Sequence, residues 1–202
     1  MTLDTWKGAD HIVATYHLTT QQLPEFAGKL RILDRVFLSG TVYTARDAAH
    51  KRIFALLEEG KELPFPLKDS VVYYAGPTPE PEGLPIGSCG PTTSGRMDLY
   101  APKLLDLGMR AMVGKGERAK PVKEAIVRNG GVYFCAIGGA GALACRCVKS
   151  CQVIAFEDLG CESVKKLEFE EFPLIVAIDA AGGDIFEEGP KAYLEQREQV
   201  KA

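Results

Sequence analysis

The sequence predicts an α/β fold: a parallel central sheet with helices on one face and additional antiparallel strands on the other. Three observations carry this. The first 45 residues have the alternation and the β-branched and aromatic content of strands. At residue 46 the apolar period changes from that of a strand to that of a helix. From residue 71 onward short apolar runs and amphipathic stretches take turns, as strand–helix units do.

IVATYHLTT (12–20) alternates polar and apolar side chains, and KLRILDRVFLSGTVYTA (29–45) reads as two strand-like runs split by Ser39 and Gly40. In RDAAHKRIFALLEEG (46–60), Ala49, Ile53, Leu56 and Leu57 fall on one helical face. Thr44 is the expected cap, with Asp47 three residues on, and Gly60 the expected stop. VVYYAG (71–76) is a short strand. AGPTPEPEGLPIGSCGP (75–91) breaks regular structure, and its length suits a functional loop better than a domain boundary.

RMDLYAPKLLDLG (96–108) reads as a helix with Met97, Tyr100 and Leu104 on one side, closed by Gly108. AMVGKG (111–116) is a strand ending in a turn. ERAKPVKEAIVRNGG (117–131) is a helix presenting Val122, Ala125 and Ile126. VYFCAIGG (132–139) is a buried strand and AGALACRCV (140–148) a short small-residue helix or turn. QVIAFED (152–158) and PLIVAID (173–179) are further strands. The last stretch, KAYLEQREQV within 186–202, is a polar peripheral helix. No repeat or linker divides the chain, so residues 1–202 are expected to form a single domain.

Composition narrows the function classes. A net charge of −3 gives no bulk attraction to nucleic acid or anionic membrane. No apolar run approaches the roughly 18 residues of a membrane span. MTLDTWKGAD has neither the basic start nor the apolar stretch of a secretory signal, so a cytoplasmic location is expected. Six cysteines in a reducing compartment read as free thiols or ligands. His11, His17 and His50 are too dispersed to form a metal pair by spacing.

The positive charge is distributed more informatively. Arg46 starts the first helix directly after a strand. Arg96 follows GPTTSG (90–95), and Lys115 ends the AMVGKG strand between two glycines. All three fall where an open α/β sheet binds ligands, at carboxyl ends of strands and amino ends of helices. Arginine there clamps carboxylate or phosphate, and glycine lets backbone N–H groups approach an anion. The candidate anion site is therefore Arg46, Thr92, Thr93, Ser94, Arg96 and Lys115.

Two other patterns are weaker. Gly139 to Ala144 matches G-x-G-x-x-A, a dinucleotide fingerprint, but that motif belongs after a first strand; close strand–helix packing explains the small residues. Cys145, Cys147 and Cys151 form C-x-C-x3-C, without the C-x2-C of common cluster and zinc motifs. On a helix, Cys145 and Cys147 would point about 200° apart. Structural thiols are the simpler reading.

SGTVYTARDAAHKR (39–52), GPTTSGRMD (90–98), VGKG (113–116), GGVYFCAIGGAGAL (130–143) and EDLGCESVKKLEFEEFPLIVAIDAAGGD (157–184) together resemble the C-terminal, or β-subunit, part of class I fumarases and L-tartrate dehydratases. The resemblance runs from about residue 11 to 190, with its motifs in order. It implies a swivelling β/β/α three-layer domain. It also implies a hydro-lyase acting on a small dicarboxylate, with fumarate/L-malate preferred and L-tartrate or mesaconate as alternatives. The implied [4Fe–4S] cluster is bound by a partner α subunit carrying the three cluster cysteines, and none by this chain alone. Arg46, Arg96 and Lys115 take the substrate-binding positions, and Thr92 that of a proton-transfer residue needing a partner base. Asp47 and His50 read as structural. A split enzyme assembled as αβ or (αβ)2, or a self-dimer of the isolated chain, follows. The alternative of another class is a non-catalytic dicarboxylate-binding or regulatory domain.

Overall fold

A computed structural model describes residues 13–199. The reading of MTLDTWKGAD as lacking a signal, and His11, lie outside the described residues.

The chain runs β1 (Thr15–Thr19), α1 (Leu23–Phe26), β2 (Arg35–Thr44), α2 (Asp47–Glu58), β3 (Val71–Tyr73), a 3-10 helix (Ser94–Met97), α3 (Ala101–Asp106), β4 (Ala111–Gly114), α4 (Lys120–Asn129), β5 (Val132–Cys135), α5 (Gly141–Cys147), β6 (Val148–Ala155), a second 3-10 helix (Glu157–Glu162), β7 (Val164–Ile178) and α6 (Ile185–Gln199). Among the described residues no helix is long and apolar enough to cross a membrane.

The strands form one seven-stranded mixed sheet in the order β1-β2-β3-β4-β5-β7-β6. β1 to β5 pair in parallel, and β7 is antiparallel to β2, β5 and β6. The antiparallel strands do not cover the sheet as a separate layer. They belong to it, and the additional β2–β7 pairing closes β2, β3, β4, β5 and β7 into a ring.

Alternation along the strands divides the core in two. Val71, Tyr73, Val113, Phe134, Phe169, Phe172 and Val176 share one apolar cluster. Val72, Tyr74, Met112, Tyr133 and Ile178 share the other with Ile53, Leu104, Val122 and Ile126 of α2, α3 and α4. Helices α2, α3 and α4 therefore cover the face opposite the ring interior, whereas Leu23 of α1 and Ala144 and Cys145 of α5 join the interior cluster, so the helices are not confined to one face as expected.

Several local expectations change. The run at 35–44 is one strand, not two, because Gly40 carries it through a bulge at φ +108° opposite β7. The helix expected at 96–108 is two pieces, a 3-10 turn and then α3 with Pro102 in its first turn. Pro102 has no backbone N–H to donate to a carbonyl in the preceding turn, so it starts a helix and does not continue one. β7 begins well before the expected Pro173 and covers KKLEFEE as well. Thr44 does not cap α2; it ends β2, fully buried, and its Oγ1 donates to the Ser163 carbonyl and accepts from Lys165 N.

Candidate active site

Three adjacent parallel strands, β2, β3 and β4, deliver the candidate residues at their carboxyl ends. Arg46 follows β2 and is the first residue before α2. The loop after β3 returns to the same edge: Thr92 N donates to the Tyr74 carbonyl at 2.7 Å. Lys115 follows β4, and Thr93 bridges it in parallel. The predicted set is thus brought together on one rim, with Thr92 half-buried and Thr93, Arg96 and Lys115 exposed.

The long loop is anchored at its base. The Tyr73 hydroxyl donates to the Cys89 carbonyl at 2.7 Å, and Ala75 bridges Pro91. Pro91, next to Thr92, lines a small apolar cavity with Ala140, Ile137 and Leu143. The last two are exposed on the same side.

Ser94 differs from its neighbours. It is fully buried, its Oγ accepts from Lys115 N at 3.0 Å, and the Tyr133 hydroxyl lies 2.8 Å away. Gly114 leaves the room this requires, since a side chain there would overlap Ser94 Oγ. Ser94 fixes the loop to β4 from inside.

Both arginines are paired within the chain. Arg96 Nε lies 2.9 Å from Asp47 Oδ1, and Arg46 Nη2 lies 3.2 Å from Glu162 Oε1. Arg46 and Asp47 are consecutive, so Glu162, Arg46, Asp47 and Arg96 form a row of alternating charge across the rim. Glu162 Oε2 also accepts from Ala48 N at 3.1 Å and supplies the cap that Thr44 does not. Sequence reasoning missed Glu162, because no local spacing links it to a helix 114 residues away. Behind this row lies a buried layer. His50 Nδ1 sits 2.9 Å from the Arg46 carbonyl, and the His50 ring stacks near Tyr100. Burial lowers its pKa to about 4. Arg118 is fully buried between Tyr74 and Tyr133 and pairs with Asp98 at 2.6 Å.

The cysteines do not form a cradle for an iron–sulfur cluster. Cys145 Sγ points to the Ile86 carbonyl and Cys147 Sγ to the Glu171 carbonyl. Among the described residues no group of three or more His, Cys, Asp or Glu side chains could hold a metal ion. Burial raises the thiol pKa values of Cys147 and Cys151 and takes Cys89 up to about 12, whereas a cluster ligand must be a thiolate. The cluster that the resemblance implies does not fit this chain's own residues.

Fold and rim define a class: an α/β domain with two arginines at its parallel strand ends, each paired with a carboxylate of the chain. Comparison with known proteins places the chain more narrowly. A family model described as "Fumarase C-terminus" matches residues 3–189. Fumarate hydratase 1, mitochondrial, of Leishmania major is 44% identical over 156 residues, which are 76% of this chain and 28% of that protein. The anaerobic class I fumarate hydratase of Escherichia coli K12 is 42% identical over 156 residues, with the same 76% and 28% coverage. A protein of Methanocaldococcus jannaschii named "Putative L(+)-tartrate dehydratase subunit beta" is 39% identical over 178 residues, 85% of this chain and 91% of that one. The chain belongs to the fumarase C-terminus family, and it spans little more than a quarter of the length of the fumarate hydratases it matches.

Proposed function

We propose that this chain is the β component of a split class I hydro-lyase that adds water to, or removes it from, a small dicarboxylate, with fumarate/L-malate as the preferred pair. The observation that carries the reading is the convergence of Arg46 and Arg96 through Asp47 on the rim of adjacent parallel strands. Two guanidinium groups there match two carboxylates of one substrate, and bidentate pairing fixes its orientation as well as its charge. Lys115 and the Thr93 hydroxyl close the site from the β4 side. Ser94, expected as a contact, positions them instead. Thr92 is held at the rim by its backbone and exchanges a proton with the carbon beside a carboxylate. A free threonine hydroxyl is a weak base, so a group from the partner completes that step.

The partner is an α subunit, which would hold the [4Fe–4S] cluster through its own three cysteines; no step is assigned to the cysteines of this chain. The tartrate dehydratase β subunit, matched over 91% of its length, supports a separate α chain. Exposed Ile137 and Leu143 beside the rim suit closure by such a partner. Swivelling of the domain against its partner, and assembly as αβ or (αβ)2, belong to the same reading.

The test is anaerobic activity of this chain mixed with a candidate α subunit carrying a reconstituted cluster, followed by fumarate absorbance. Fumarate formation from L-malate only with both chains present supports the reading, and turnover of L-tartrate or mesaconate alone changes the substrate. Arg96→Ala is expected to lower turnover at least about a hundredfold while the chain stays folded by circular dichroism. Near-wild-type activity of that variant would overturn the site assignment. Fumarate binding without turnover, with the cluster confirmed, would mark a non-catalytic dicarboxylate-binding domain.

A further inference from the structure

We infer that Glu162 is a positioning residue for Arg46: it holds the guanidinium in the orientation that receives a substrate carboxylate. The inference rests on the assignment of Arg46 to the anion site.

Arg46 has little freedom where it stands. Its side chain is about four-fifths buried, at 20% exposure. Its guanidinium lies against Gly76, where an added Cβ would come within 2.9 Å of Nη1 and 3.2 Å of the Cys161 carbonyl. Nη2 pairs with Glu162, and the buried Nε–H has no hydrogen-bond partner among the described residues. A guanidinium has five N–H donors. Glu162 takes a donor at Nη2, and among the described residues the Nε–H stays unclaimed.

Glu162 is itself fixed from several sides. Its second oxygen accepts from Ala48 N at the start of α2. The 3-10 helix that carries it is fastened by Lys165, whose Nζ donates to Ser163 Oγ at 2.6 Å and to the Gly160 and Cys161 carbonyls at 3.1 and 3.3 Å. Ser163 Oγ in turn donates to the Gly160 carbonyl at 2.8 Å. A carboxylate held this firmly orients its partner, because a long side chain otherwise loses rotamer freedom each time it binds substrate. Glutamine cannot replace it fully. Its amide has one acceptor oxygen, so it must give up either Arg46 or Ala48 N.

The test has two readouts. In the chain labelled with 15N-arginine, the Arg46 Nε–H resonance, assigned with Arg46→Lys, reports whether the guanidinium is held. It is expected to be sharp and slow to exchange in the wild type, broadened or lost in Glu162→Gln, and partly restored in Glu162→Asp. Asp158→Asn removes a carboxylate from the same 3-10 helix, one that pairs with Arg52 at the surface, and should leave the signal unchanged. In the complex with the α subunit, Glu162→Gln should raise KM for the dicarboxylate about tenfold, the worth of one charge-assisted bond, with kcat much less affected. An unchanged Arg46 signal and an unchanged KM in Glu162→Gln would overturn the inference. Loss of the signal without any turnover by the wild-type complex would remove the hydro-lyase reading and leave the clamp on Arg46 standing.

Discussion

At the residue scale the amino end of α2 shows how little of a side chain's chemistry is free once the fold has used it. His50 is fully buried, its Nδ1 is committed to the Arg46 carbonyl, and its Nε2 has no partner among the described residues. Removing the imidazolium from water disfavours charge, and the nearby Arg118 adds to the effect. The unfolded chain takes up the proton near the ordinary histidine pKa of 6.5, and the folded chain only near 4. Between those values the unfolded state holds more protons, so stability falls as pH drops through that window. Above it His50 contributes no pH dependence. The gap corresponds to about 3 kcal/mol. Thermal unfolding midpoints measured from pH 7 to pH 4 should therefore decline, and His50→Gln should flatten the decline. An equal slope in the variant would show that other groups carry it. His50 thus supports the backbone from which Arg46 projects, and a histidine kept neutral at pH 7 adds no second positive charge beside the arginines.

At the element scale the site depends on how three loops are fastened to three strand ends. The join between the GPTTSG loop and β4 is the tightest. Ser94 Oγ sits over Gly114, and its backbone N–H donates to the Lys115 carbonyl at 2.9 Å. Gly114→Ala would drive a methyl group into Ser94 and force the loop off the strand. About 1–3 kcal/mol of stability should be lost in chemical denaturation, as overpacked sites lose it, and under the proposed function turnover in the complex should fall with it. Unaltered stability would mean that the loop yields without cost. This join also shows what local sequence can carry. Gly60, Gly108 and the face made by Val122, Ala125 and Ile126 announce their elements through spacing alone, and the structure places them as read. The places of Arg46 and Lys115 were legible for the same reason, since each lies within two positions of a strand end; Arg96, far from any strand in sequence, stood out only as the basic residue that follows GPTTSG. The pairing of Arg46 with Glu162, the cap on α2 and the inward turn of Ser94 were not legible. Each needs a partner 20 or more residues away, and only chain closure brings the two together. β7 extends well before the expected PLIVAID strand: five of the seven residues of KKLEFEE are charged and mask the pattern, yet Leu167 and Phe169 are buried between them.

At the scale of the whole molecule the closing strand is the part that unites everything else. β7 is 15 residues long and pairs with β2 along one side, while its other side meets β6 over its first half and β5 over its second. Its inward residues build the middle of the first apolar cluster: Phe169 and Phe172 stack with ring centres 4.3 Å apart, and Tyr73 of β3 packs on Phe172 at 5.4 Å. Opening β7 therefore breaks the ring and exposes that cluster at once. Among the described residues β1 and β6 stand at the two ends of the strand order, each with one neighbour and much of its surface in water. Their hydrogen bonds can break without disturbing the aromatic stack. Amide hydrogen exchange measured over a range of low denaturant concentrations should separate the two groups. Amides of β2 and β7 are expected to exchange only through global unfolding, and those of β1 and the outer side of β6 through smaller local openings. A β7 that exchanges as readily as β6 would mean that ring closure is not part of the cooperative core. The rim carrying Arg46, Arg96 and Lys115 would then rest on the parallel strands alone.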